Sequence, residues 1–337
     1  MKINRVSKFK IFLMVLLLIL INLQNSWGTL LRLGHTYPKD YPTYNSAFKY
    51  AEMIKKETNG KYEIKLYPGG QLGSGRTLVK SVRSGIIEMC IVSSSTAEYF
   101  LKELALLKLP FIFKNYKHVD SILDGDIGLS LLNLFKNQNI KGLTFLEQGF
   151  LQISNAKRAI KNVNDLKGLT IRVYPSKIQE DTFRILGASP VIMPFAEVYT
   201  ALQQGVVDGD IVTINSFKNR KFYEVQKYLS LTKHSYRADI LLFNNDIFNK
   251  LSNDYQVIFQ KVAKEISIYQ RDFVREKERK TIKSLKKLGI MIIEPDREAM
   301  KKMVEPIYNR YPMLYESIRD YWDCENKCPL PPICCYN

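Results

Sequence analysis

A chain of 337 residues with 50 Lys and Arg against 33 Asp and Glu carries a formal charge of +17. The basic residues are scattered, with no aromatic-interleaved stripe, so the surplus reads as solvated surface biased toward anions, and nucleic acid is not expected as a partner. The three His (His35, His118 and His234) have no His or Cys at metal-ligand spacing, and the chain has neither a G-x-S-x-G elbow nor a phosphate loop ending in Gly-Lys-Ser/Thr. No metal, cofactor or enzymatic constellation is therefore expected.

At the N-terminus, Lys2, Arg5, Lys8 and Lys10 precede an apolar run from Ile11 to Leu23, and Ser26-Trp27-Gly28 follows. This order predicts a cleavable secretory signal over residues 1–28 and a periplasmic location. The apolar run falls short of the roughly 20 residues of a spanning helix, although an uncleaved anchor is the other reading. Setting aside the leader's four basic residues lowers the charge from +17 to +13 and leaves 309 residues, enough for two lobes with separate cores.

Leu30–His35 reads as a strand and Ser46–Glu57 as a helix ended by Thr58-Asn59-Gly60. Tyr62–Tyr67 alternates as a half-buried strand, Leu78–Ser84 is helical, and Ile86–Val92 is a buried strand. This βαβαβ order implies a parallel, helix-covered sheet. His118 is expected to open a surface helix. The pattern restarts after a loop near Asn155. A capped turn lies at Asn164-Asp165-Leu166, and Leu169–Val173, Val191–Pro194 and Val206–Val212 are strands. Ser176–Leu186 and Ala196–Gln204 are the helices between them, closed by Gly187 and Gly205. Tyr236–Asn244 is apolar enough to return to the first lobe. Asn253–Leu288 has neither Pro nor Gly, and Phe259, Val262, Ile266, Tyr269 and Phe273 form an apolar stripe. As one helix it would span about 50 Å and lie across both lobes; two consecutive helices are the alternative. No internal repeat is visible.

Cys90, inside the apolar run Met89–Val92, reads as a buried small hydrophobe. Cys324, Cys328, Cys334 and Cys335 crowd the last fourteen residues. In an oxidising compartment they point to two disulfides of open pairing; a zinc site is disfavoured because the spacing is not that of a zinc knuckle and no His is near.

Several stretches resemble the solute receptors of TRAP (tripartite ATP-independent periplasmic) transporters. They include L-R-L-G-H at 31–35, Y-P-G-G-Q-L-G at 67–73, L-P-F-I-F at 109–113 and D-L-K-G-L-T-I-R-V at 165–173. D-T-F-R-I-L-G-A-S-P at 181–190, E-V-Y-T-A-L-Q-Q-G-V-V-D-G at 197–209 and K-F-Y-E-V-Q-K-Y-L-S-L-T at 221–232 continue the series in family order. The resemblance implies an α/β, two-lobed periplasmic-binding-protein-like fold with a cleft between lobes and a long lobe-bridging helix. Residues 29–149 with 237–275 are expected to form the first lobe, 150–236 with 276–322 the second, and 323–337 a Cys-rich tail. It also implies a small organic-acid solute and, as partners, the membrane permease subunits of a TRAP transporter. A sensory or interaction protein on the same fold is the alternative.

By the same resemblance, Arg172 of the I-R-V strand is the carboxylate-binding Arg, a role that suits the bidentate fork of a guanidinium. His35, Asp210 and Thr213 are further ligand-binding candidates. Ser93 and Ser94, with Ser95, follow a buried strand at the end where α/β sheets place ligands. Two departures stand out. Val212 occupies the place of the family's solute-binding Asn, and Leu151-Gln152 follows Gly149-Phe150 where the family often carries a second Arg.

Overall fold

The computed structural model describes Gly28 to Pro312, and Glu316. The expected signal and the cysteines at 324, 328, 334 and 335 lie outside the described residues. Strand β1 (Thr29–His35) pairs in parallel with β2 (Tyr62–Tyr67) and with β3 (Met89–Ser93). Two long strands follow the pattern of neither lobe alone. They are β4 (Ile140–Asn155) and, after β5 (Thr170–Val173), β6 (Ser189–Ile192) and β7 (Gly209–Thr213), β8 (Tyr228–Asn244). With a short β9 (Met291–Ile293) attached to β8, they form one sheet of order β2-β1-β3-β8-β4-β7-β5-β6.

That order reads the same from either end. In each half, three parallel strands are completed by one antiparallel strand from elsewhere in the chain: β8 beside β3, and β4 beside β7. The two crossing strands also pair with each other along their length, with register shifts at Gly142/Thr144, Glu147/Gly149 and Leu151/Ile153. Bulges of this kind bend and twist a strand, which lets one strand serve two differently oriented halves. Gly149 has φ +103° at the middle shift, and a Cβ there would lie 3.3 Å from the Glu278 carboxylate. Most of β4 escapes sequence reading because it is continuously buried and carries no alternation.

The residues Asn253–Lys287 form a single helix of 35 residues, so the two-helix alternative falls. Phe259, Val262 and Ile266 pack into the first-half core with Leu33, Ile54 and Phe243. Leu285 packs into the second-half core with Val212, Phe217 and Leu231. A third apolar cluster runs along the other face, joining Val92 and Phe145 to Ile171 and Phe183. The expected stripe drifts: Tyr269 is 38% exposed, while Gln270, Val274, Glu278 and Thr281 take the inner face. A repeat of 3.5 residues cannot stay on one face of a straight helix of 3.6 per turn.

Polar groups hold this helix at the seam. The Gln270 amide accepts from Glu147 N and donates to Glu147 O, both at 2.6 Å. Arg275 bonds both Asp120 and the buried Glu147. His118 corrects another expectation: it lies in the helix Tyr116–Asp124 but is only 2% exposed, and its Nδ1 accepts from Lys114 N. Cys90 is fully buried in β3, and burial pushes its thiol pKa up.

Candidate functional site

Strand ends from both halves converge on a cavity of about 210 Å3. Tyr37, Tyr41 and Ser93 line it from the first half; Tyr174, Phe195, Ser216 and Arg220 line it from the second. Arg237 enters from the crossing strand β8. A larger apolar cavity of about 770 Å3, bounded by Leu106, Leu131 and Tyr311, lies elsewhere and carries none of these groups.

The first-half wall is a tyrosine web held by one acid. Asp239 is fully buried and accepts from Tyr37 (2.6 Å), Thr43 (2.9 Å) and Gln148 (2.5 Å). Burial raises its pKa, against the bond from Tyr37 and the charge of Arg237. The Tyr37 ring stacks on Tyr41 at 5.0 Å. The Tyr41 hydroxyl meets the Ser216 hydroxyl at 2.6 Å, a direct link between the halves across the cavity.

The second-half wall rests on Arg172. Its Nε and Nη2 donate to Met193 O at 3.0 and 2.8 Å, and its Nη1 donates to Asp210 at 3.2 Å. Its guanidinium lies 4.3 Å from the Tyr174 ring centroid and 5.6 Å from that of Phe195. Arg172 and Asp210 are 1% and 0% exposed. Burial pushes the Asp210 pKa up to about 7, with Arg172 opposing the shift.

Of the six residues singled out from sequence, only Ser93 lines the main cavity. Its hydroxyl also accepts from Thr96 N and caps the short helix Ser94–Ala97. Ser94 faces a much smaller void on the other side of Tyr174 and Arg237. Thr213 plays the capping part in the second half, accepting from Ser216 N at the head of Ile214–Asn219. His35 is fully buried, with its ring 6.3 Å from Tyr37 and 5.9 Å from Tyr44. Burial depresses its pKa to about 4, so the imidazole is neutral. Arg172, Asp210, His35 and Thr213 thus sit behind the residues that form the wall, because each is satisfied or enclosed by its own half.

Sequence reasoning missed Arg237, Tyr37, Tyr41, Tyr174 and Phe195. One signal was available for Arg237: a cation and an acid, Arg237 and Asp239, interrupt the otherwise apolar run Tyr236–Asn244. A charge in a buried strand needs a partner or a ligand. Tyr37 and Tyr41 follow the C-terminal end of β1, and Tyr174 that of β5, where open α/β sheets bind ligands.

A cation-bearing cavity enclosed between two α/β halves that share crossing strands is the architecture of a solute-binding protein. The chain belongs to bacterial extracellular solute-binding protein family 7, which matches residues 33–313, and so to the solute receptors of TRAP transporters. It is 34% identical to the 2,3-diketo-L-gulonate-binding periplasmic protein YiaO of Escherichia coli, over 80% of this chain and 82% of that protein. A TRAP periplasmic solute binding protein from Polaromonas sp. JS666, bound to D-erythronate, superposes with TM-score 0.78 at 33% identity, covering 86% of this chain and 96% of that one. One from Xanthobacter autotrophicus Py2, with bound β-D-galacturonate, gives TM-score 0.77 at 31% identity over 86% and 98%. These relatives are two-lobed, which bears out the expected fold class. Among the described residues, no helix is long and apolar enough to cross a membrane.

Proposed function

We propose that this receptor captures a small organic acid in the 210 Å3 cavity between its halves and hands it to the permease of a TRAP transporter. The observation that carries the reading is Arg237, a cation at the seam of the two halves in a cavity with no acidic lining residue. The acids bound by the relatives, D-erythronate and β-D-galacturonate among them, support the ligand class. Ser93 contacts the solute or its water from the first half, while Ser94, Arg172, Asp210, His35 and Thr213 shape the wall from behind. The lobes are 29–149 with 237–275 and 150–236 with 276–322. The register shift at Glu147/Gly149 and the position of Arg237 on the crossing strand support these boundaries.

Capture works by population shift. A solute that touches both Tyr37 and Tyr174 binds the closed arrangement better than an open one, and that difference in affinity drives closure. The Tyr41–Ser216 bond joins the halves directly and adds to closure. Export through a cleaved signal brings the receptor to the periplasm, where the permease is reached. Native mass spectrometry of the full chain, purified without refolding, tests the reading. A co-purified monomeric acid of unchanged mass is expected; a neutral or cationic small molecule in its place refutes it.

A further inference from the structure

Two arginines, one behind the cavity wall and one in it, differ in standing. Arg172 has its charge matched by Asp210 at 3.2 Å and two of its donors spent on Met193 O. It is 1% exposed, and both aromatic rings flanking it, Tyr174 and Phe195, are cavity-lining residues. Arg237 is different. Among the described residues its side chain donates one hydrogen bond, from Nη1 to the Tyr174 hydroxyl at 2.7 Å. The nearby Asp239 is occupied by Tyr37, Thr43 and Gln148. Lys108, the other cation near the smaller void, is paired with Glu98 at 2.6 Å. Arg237 therefore faces the cavity with unspent donors in a fork that fits a carboxylate. Arg220, the second cation of the lining, is exposed at the rim, where water screens it.

The rest of the lining is hydroxyl-rich and uncharged. Thr36, Tyr37, Tyr41, Ser93, Tyr174 and Ser216 present hydroxyls, and no lining residue is acidic. One enclosed cation among hydroxyls matches one carboxylate on a hydroxylated chain. A second carboxylate would be buried without a partner, which is strongly unfavourable.

We propose that Arg237 anchors the solute's single carboxylate, while Arg172, neutralised by Asp210, is a positioning residue for Tyr174 and Phe195, so that the site selects polyhydroxy monocarboxylates against dicarboxylates. This rests on the cleft reading given above and adds to it which cation is used and which acids are refused. It also explains how the pocket tolerates the loss of the Arg expected after Phe150 and of the amide at Val212: the cation has moved to the crossing strand, and the Arg in the expected place has acquired an internal counter-ion.

Calorimetry on the full chain separates the possibilities. The ligands are a panel of monocarboxylic sugar acids including D-erythronate and galacturonate, with succinate as the dicarboxylate and erythritol as the uncharged polyol. Wild type is expected to bind at least one sugar acid about 100-fold more tightly than succinate or erythritol. Arg237→Gln should lose about 100-fold for that acid. The double variant Arg172→Met with Asp210→Leu, melting as a folded protein, should lose less than about tenfold. Should the double variant fail to fold, Asp210→Asn replaces it. Freeing the Arg172 charge should then raise succinate affinity by about tenfold or more. Full affinity in Arg237→Gln, abolished binding in a folded double variant, or Asp210→Asn without a gain for succinate each overturns the assignment. Wild type that prefers succinate overturns the selectivity while leaving the cleft reading intact. Wild type that binds no acid of either kind removes the cleft reading itself.

Discussion

Counting back from the helix-capping residue that ends each inner strand, Ser93 in the first half and Thr213 in the second, brings one to Cys90 and Asp210 at the same position. Their register partners on the neighbouring parallel strands are Gly34 and Arg172. The same place in the plan therefore holds a neutral Gly–Cys pair in one half and a buried ion pair in the other. The first half solves it by close packing: a Cβ on Gly34 would come within 2.7 Å of Leu78 Cδ2. The second solves it by charge compensation, which frees it to carry two aromatic rings on a guanidinium. One topology thus supports an apolar wall backing and an electrostatic one, and the asymmetry gives the cavity its character.

Breaking the pair in the second half should have the largest effect. Arg172→Met leaves Asp210 buried without its counter-ion and should cost about 3–5 kcal/mol, read by urea denaturation. Adding Asp210→Leu should restore stability to within about 1 kcal/mol of wild type, because replacing both members removes the uncompensated charge. At the matching place in the first half, Gly34→Ala should cost about 1–3 kcal/mol by overpacking against Leu78, and Leu78→Val in the same chain should relieve part of that. Equal losses from Gly34→Ala and Arg172→Met would erase the distinction between the halves.

The caps sharpen the comparison at a smaller scale. Ser93→Ala and Thr213→Ala should each cost about 1 kcal/mol in thermal melts. Ser93 lines the cavity and Thr213 does not, so only Ser93→Ala should also weaken solute binding directly.

The halves should answer pH with opposite signs. The His35 pKa is lowered by burial to about 4, so its contribution to folding is present above its unfolded value near 6.5 and is lost as pH falls toward 4. The Asp210 pKa is raised by burial to about 7, so its neutral form favours folding at low pH, and that advantage is lost as pH rises from about 4 to about 7. Each slope is no steeper than about 1.4 kcal/mol per pH unit. The stability difference between wild type and His35→Phe should grow with pH over this range, and that between wild type and Asp210→Asn should shrink. Parallel trends in the two variants would refute the assignment.

Much of the frame is legible in the sequence because it is local. The strand Tyr62–Tyr67 falls where its alternation puts it, and the long helix occupies the stretch that lacks Pro and Gly. The capped turn expected at Asn164-Asp165-Leu166 is present, with its cap two residues earlier at Asn162, whose side chain and that of Asp165 bond the backbone reciprocally. What is hidden is non-local. Continuous burial on both faces erases the period of β4, and nothing in the chain around Arg172 announces that Asp210 will lie beside it in register. The matched halves show no repeat in sequence because they share a topology rather than side chains. Arg172 is legible as a cation in a familiar motif; its pairing with Asp210, and the placement of Arg237 in the cavity lining, depend on distances that only the folded sheet creates.

The palindromic strand order also has a kinetic consequence. β3 cannot acquire its central neighbour until residues Asp239–Phe243 exist, and β7 takes its neighbour from Leu151–Asn155 far upstream. The first half is therefore not complete within one continuous stretch of chain: it waits on a strand that follows β5, β6 and β7 in sequence, and closing so distant a pairing is slow because its ordering entropy comes first. A chain truncated before Tyr228 would leave β3 with an open edge, sticky toward other unfinished chains and available to chaperones. Completion of the first half thus comes late in synthesis, after β5, β6 and β7 of the second half have been made.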